Sequence, residues 1–282
     1  MSSRLVAAIA PAIGWKLVAA AALIVCVIAV VAGLSGEQSA VVAQLSAAQL
    51  TGREQSHLVE LSCGHRLQPA VARAFAALQS DALEAGFELA IASSFRSYSR
   101  QLAIWNGKAS GQRGIHDDAG HPVVIDRLTP EEQLRAILRY SALPGSSRHH
   151  WGTDLDVYDA GAIDSDYQLE LSPSEVAPGG IFDPLHCWLD QRMVAGESRG
   201  FYRPYSSDRG GVAPERWHLS YAPLAVTCEP QLTPQLLLDC WDSCRADEPP
   251  LLLGDEVAAM LPQIVSDYVA VAPDWCPARY RA

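Results

Sequence analysis

Basic residues are scarce in this chain of 282 residues: 21 Lys and Arg stand against 32 Asp and Glu, a formal net charge of −11. A nucleic-acid partner needs a basic face, so the composition argues against that class. Acidity of this kind bears on solubility and says little about fold. No Gly-x-Ser-x-Gly elbow occurs, so nothing points to a serine nucleophile of the strand-to-helix type. Cys240 and Cys244 have no second cysteine pair that would complete a structural zinc site. Charge is absent altogether from Leu17 to Leu34, and the run has no polar face, which argues against a buried soluble helix.

Arg4 and Lys16 precede that run, and eighteen helical residues reach about 27 Å, close to the roughly 30 Å hydrocarbon core of a bilayer. Residues 1–36 therefore read as a cytoplasmic tail and transmembrane anchor, or as a signal peptide, with the basic end in the cytoplasm. Val25 before Cys26 does not suit a lipoprotein signal. The expected location of the remainder is the cell envelope, outside the cytoplasmic membrane. Six further cysteines, Cys63, Cys187, Cys228, Cys240, Cys244 and Cys276, are an even set, and export predicts disulfides that tie the C-terminal part to the core.

Residues 37–55, rich in Ser, Ala and Gln, read as a linker or a short membrane-proximal helix. From Gln68 to Ala85, Val71, Phe75, Leu78 and Leu83 suit an amphipathic helix ended by Gly86. Phe87 to Ala92 alternates as a strand, and Tyr98 to Trp105 returns to helical spacing. Residues 106–128 form a loop whose His116 and His121 read as surface histidines. Thr129-Pro130-Glu131-Glu132 is a capping box that starts a helix. Another helix is expected from Pro184 to Ala195. Residues 227–282 are an acidic extension with a helix through Ile264 and no assignable chemistry.

The chemistry concentrates in Ser147-Arg148-His149-His150-Trp151-Gly152-Thr153-Asp154-Leu155-Asp156 and in Glu215-Arg216-Trp217-His218. Neutral imidazole nitrogens and carboxylate oxygens are zinc donors, and three protein ligands with one open position is the catalytic pattern. His149, Asp156 and His218 make such a set. Leu155-Asp156-Val157-Tyr158 alternates as a strand, so Asp154 and Asp156 share a face, and Gly152 lets the chain bend ahead of it. Glu215, three residues before His218, can face a metal-held water and act as general base.

In their order and spacing these elements resemble the zinc D-alanyl-D-alanine carboxypeptidases of the VanY type. That group includes D,D-dipeptidases, L-alanyl-D-glutamate endopeptidases and, more distantly, the zinc fold of hedgehog domains. Ser93-Ser94-Phe95-Arg96-Ser97-Tyr98-Ser99-Arg100-Gln101 resembles a third family segment, and the likeness runs from about Phe87 to Pro223. It implies an α+β domain over residues 56–226, a small antiparallel sheet with flanking helices. Zn2+ would be held by His149, Asp156 and His218, with His150 the replacement should the register differ by one. Glu215 would be the base, Arg96 would meet the oxyanion or an anionic substrate group, and Gln101 and Ser147 would bind the peptide near its carboxylate, the other reading being that either braces the loop. Asp154 departs from the family pattern, and so does Ser94, where glycine is usual. The implied substrate is a peptidoglycan stem peptide ending in D-Ala-D-Ala. A D,D-dipeptidase, an endopeptidase and a non-catalytic zinc-stabilised wall-binding module are the alternatives.

Overall fold

The computed structural model describes residues 44–243 and 247–281. The expected transmembrane run at 17–34 lies outside the described residues; among those described, no helix is long and apolar enough to cross a membrane. Helix α1 (Ala47–Leu50) is closed by a capping box from Ser46, and Leu50 is buried in one cluster with Trp151. The later part of the 37–55 segment is thus a short helix built into the domain, which begins ahead of residue 56.

A short hairpin of β1 (Val59–Glu60) and β2 (Arg66–Leu67) leads into α2 (Pro69–Glu84). The buried stripe of α2 is Val71, Phe75, Leu78 and Ala82, while Leu83 is 66% exposed. Positions 71, 75, 78 and 82 follow one helical face, and 83 falls off it. Strand β3 (Leu89–Ser93) follows, then α3 (Tyr98–Ala109), which runs a turn past Trp105. The expected loop at 106–128 holds a two-residue hairpin, β4 (Ile115–His116) with β5 (Pro122–Val123). Helix α4 (Pro130–Leu138) starts at the Thr129 capping box, with Glu132 reaching back as the sequence predicts. Strand β6 (Asp154–Asp159), the single turn α5 (Pro173–Val176), α6 (Asp183–Ala195), β7 (Phe201–Tyr202) and β8 (His218–Tyr221) complete the centre.

The main sheet is antiparallel in the order β3-β6-β8-β7. Side chains alternate across it. Leu155, Val157 and Leu219 pack with the α2 stripe and with Leu185 and Leu189 of α6, which leaves Asp154, Asp156 and His218 to the other face.

Helices α7 (Ala222–Cys228), α8 (Pro234–Asp242) and α9 (Gly254–Ile264) carry the chain through the acidic extension. Leu237, Val257, Leu261 and Ile264 are buried with Trp105, Leu134, Ile137 and Leu138. The expected disulfide tether is not what holds the extension: Cys63, Cys187, Cys228 and Cys276 are free thiols, no disulfide joins two described cysteines, and Cys244 lies outside the described residues. A fully buried aliphatic side chain contributes about 1.5–3 kcal/mol, so these four together exceed the roughly 2–4 kcal/mol of one disulfide. The Arg53–Glu248 ion pair at 3.0 Å adds a polar tie. In the native protein a thiol reagent should label exposed Cys63 and Cys187 rapidly and reach buried Cys228 and Cys276 only on unfolding. Resistance of all four after denaturation would restore the disulfide reading.

Candidate metal centre and active site

Register brings the two sequence clusters together. In the β6–β8 ladder Asp156 stands opposite His218 and Asp154 opposite Ser220. His149 arrives from a 3-10 turn, Arg148–Trp151, that ends at Gly152 with φ 68° and ψ 20°. This left-handed conformation favours glycine, and a Cβ there would also run into the Leu58 side chain. One nitrogen each from His149 and His218 and an oxygen of Asp156 lie within 4.8 Å of one another, and all three residues are buried. His149 Nε2 is 3.3 Å from one Asp156 oxygen, and His218 Nδ1 is 3.1 Å from the other.

The outer nitrogen of each imidazole is engaged. His149 Nδ1–H donates to the Ser94 carbonyl at 2.9 Å, and His218 Nε2–H donates to Asp154 at 2.9 Å. Those acceptors hold the outer N–H of each ring and turn the inner nitrogens, Nε2 of His149 and Nδ1 of His218, toward Asp156, as metal-binding histidines require. The donor set therefore fits a divalent ion of the zinc kind. His150 is excluded: its Nδ1–H donates to the Arg96 carbonyl, its Nε2 accepts from Gly145 N–H at 3.1 Å, and burial pushes its pKa down to about 3.

Asp154 is the orienting partner of His218. It is fully buried, takes Arg148 Nε–H at 2.8 Å and accepts the Thr153 hydroxyl. Burial alone would raise its carboxyl; the Arg148 guanidinium and the bonds from His218 and Thr153 hold it well below the usual range. Arg148 is itself fixed by Ser220 Oγ and Glu229, each at 2.8 Å, and lies over the rings of Trp151 and Trp275. Glu229 and Trp275 belong to the extension, which is thereby joined to the centre through Arg148, Asp154 and His218. Asp154→Asn should lower metal affinity about 10–100-fold, the usual cost of losing a partner that orients a ligand. Chelator competition measures it, and unchanged affinity would reduce the chain to scaffolding.

Glu215 completes the cluster. Its side chain is 14% exposed, with Oε2 3.8 Å from His218 Nδ1, and burial pushes its pKa up to about 7. A carboxyl in that range can take and return a proton near neutral pH. His218 moves the other way from most buried histidines: burial pulls it down, but its bonds to Asp154 and Asp156 raise it to about 10.

These groups line a cleft of about 940 Å3. Arg96 is on its wall; its Nη1 donates to Gln101 at 2.9 Å and its Nη2 to Ser93 at 3.2 Å. Ser147 lines the cleft as well. Gln101 does not: it is fully buried, with Oε1 taken by Arg96 and Nε2 donating to the Ala142 carbonyl at 2.7 Å. Of the two readings for Gln101, these bonds favour the brace, behind Arg96, over the peptide contact. Trp217 shields the site, and Tyr205 packs on the His218 ring at 5.1 Å between centroids. Ser94, the other departure, accepts Arg66 N–H through its hydroxyl at 3.2 Å.

Sequence reasoning missed Arg148, Lys108, Tyr205, Glu229 and Trp275. Lys108 had a signal: with Gln101 and Trp105 it follows i, i+4, i+7 on α3, a cation on a face that otherwise turns inward.

The chain belongs to the VanY D-alanyl-D-alanine carboxypeptidase family, whose sequence profile matches residues 64–224. Two relatives are uncharacterized proteins of Haemophilus influenzae. One is 45% identical over 104 residues, 36% of this chain and 71% of the relative; the other is 31% identical over 129 residues, 45% and 92%. Similar solved structures include a vancomycin-resistance D,D-pentapeptidase VanY from a VanB-type cassette in complex with Zn(II), 22% identical, covering 60% of this chain and 80% of that one at a TM-score of 0.40. VanYB in complex with D-alanine-D-alanine is 21% identical and covers 64% and 87% at 0.41. The LdcB LD-carboxypeptidase is 22% identical and covers 65% and 77% at 0.41.

Proposed function

We propose that this protein is a zinc-dependent D-alanyl-D-alanine carboxypeptidase that removes the terminal D-alanine from peptidoglycan stem peptides. The observation that carries the reading is the partly buried Glu215 beside three convergent donors, on a cleft large enough for a peptide. A purely structural ion has no use for a base on its open side, which speaks against a non-catalytic wall-binding module. When bound by His149, Asp156 and His218, the ion supplies Lewis acidity, drawing the pKa of a held water from about 15.7 toward 7 and polarising the scissile carbonyl.

The chain's own groups do the rest. Glu215 takes the proton of the attacking water and returns it to the departing amine, so a C–O bond forms, the C–N bond breaks and no net proton is consumed. Arg96 offers its guanidinium to the oxygen on which negative charge develops. Asp154 keeps His218 aligned, and Tyr205 and Trp217 limit water around it. Residues 1–36 would hold the domain at the cytoplasmic membrane, facing the wall.

Zinc-loaded full-length protein incubated with stem pentapeptide, with free D-Ala-D-Ala and with cross-linked peptide, and read by mass spectrometry, tests the reading. Loss of one D-alanine from the pentapeptide is expected. Splitting of the free dipeptide or of the cross-link would reassign the specificity, and no cleavage by metal-loaded protein would overturn it.

A further inference from the structure

Two cations on the cleft wall have no carboxylate partner: among the described residues, no carboxylate oxygen lies within 4 Å of Arg96 or of Lys108. Neutral groups take their donors instead, Gln101 and Ser93 for Arg96 and Ser141 Oγ, at 2.7 Å, for Lys108. The two are joined through one stretch of backbone, since Gln101 braces Arg96 and bonds the Ala142 carbonyl next to Ser141. Both are enclosed enough that burial lowers their pKa values. Glu215 is the carboxylate whose charge most supports the Lys108 ammonium, and Arg96 opposes it.

Enclosed charges are ordinarily paired, because desolvation is costly and only an opposite charge or a full hydrogen-bond set offsets it. Asp156 and Glu215 would balance the two charges of a divalent ion, which leaves Arg96 and Lys108 uncompensated. Arg96 alone would suffice for an oxyanion. A second cation on the same cleft wall calls for a second, permanent negative charge on the ligand. In a peptide cut at its last bond, that charge is the α-carboxylate of the released residue, less than about 4 Å from the scissile carbonyl.

We propose that Lys108, with Arg96, seats the free α-carboxylate of the residue to be released, so that Lys108 makes this cleft exo-acting. This rests on the peptidase reading above and adds a specificity residue to it. The ammonium donates to one carboxylate oxygen while its bond to Ser141 Oγ holds the Lys108 side chain in place. A peptide whose C-terminus is blocked as an amide, or continues as a further chain, leaves Lys108 unpaired and is rejected for that reason.

The test separates binding from chemistry. Full-length, zinc-loaded protein carrying Glu215→Gln is titrated by calorimetry with D-Ala-D-Ala and with its C-terminal amide; the acid should bind at least about tenfold more tightly, as for a lost charge-assisted bond. Adding Lys108→Met should abolish that preference, and Lys108→Arg should restore most of it, with zinc content and melting temperature as controls for folding. In the otherwise wild-type enzyme, Lys108→Met should raise KM for the acid far more than it lowers kcat. Equal binding of acid and amide, or a preference that survives Lys108→Met, overturns the seat while leaving a cleaving enzyme intact. Absence of both binding and cleavage overturns the peptidase reading with it.

Discussion

Glu215→Gln should leave zinc bound and abolish most peptide cleavage. Removing a general base typically costs about 10²–10⁴ in rate, and here one carboxylate both accepts the proton of water and delivers it to the leaving amine, so the upper end is expected. Glutamine keeps the volume and the packing but can do neither. Zinc should stay because Glu215 stands 3.8 Å from His218, outside the set of three whose donors converge. Asp154 is the other carboxylate near His218 and the natural rival for the role. It is fully buried and spent on Arg148, Thr153 and His218, so it has no free oxygen to face a water. Metal analysis and peptide cleavage on Glu215→Gln and Asp154→Asn side by side decide between them. A Glu215→Gln protein that still cleaves while metal-loaded Asp154→Asn is inert would reverse the assignment.

Replacing any one of His149, Asp156 or His218 by alanine should remove the metal and with it all activity. Two remaining donors leave an ion mostly hydrated, whereas the third closes the set and is already oriented. The expected loss exceeds the 10–100-fold set for Asp154→Asn, since a ligand is deleted and not merely loosened. His150→Ala should keep its zinc, because both imidazole nitrogens of His150 are bonded to backbone away from the cleft. Metal content of the purified variants reads this directly. Full occupancy in all three alanine variants would refute the site. Acid should act in the same direction as the His218 substitution: with its pKa raised to about 10, His218 carries a proton below that value, and an ion must displace it. Zinc affinity should therefore rise with pH, which titration at two pH values checks.

The candidate ligands were legible because they rest on local rules. A strand alternation put Asp154 and Asp156 on one face, Gly152 permitted the bend before it, and the Glu215-x-x-His218 spacing was short enough to survive any fold. The choice between His149 and His150 was less secure in the sequence, since both are imidazoles one residue apart. Only the 3-10 turn, which points His149 at Asp156 and His150 at the Arg96 carbonyl, separates them. Leu83 misled for a related reason: its hydrophobicity fits a helix, but the face it occupies is fixed by what packs against α2.

Spacing and capping residues by themselves determined the capped start of α4, the shared face of Asp154 and Asp156 and the Glu215-x-x-His218 spacing, because each depends on residues within a turn or a strand of one another, whereas the α+β class rested on the family resemblance. What only the tertiary structure decided depends on contacts between distant segments. Glu229 reaches Arg148 from 81 residues away and Trp275 from further still, and through it they hold Asp154 against His218. Lys108 and Arg96 are tied to the same Ser141-Ala142 stretch, Lys108 through Ser141 and Arg96 through Gln101, and Gln101 turns from ligand to brace by the same contact. The extension is held by a shared apolar core, since burial of side chains against α3 and α4 is a property of three-dimensional packing that the number of cysteines does not report.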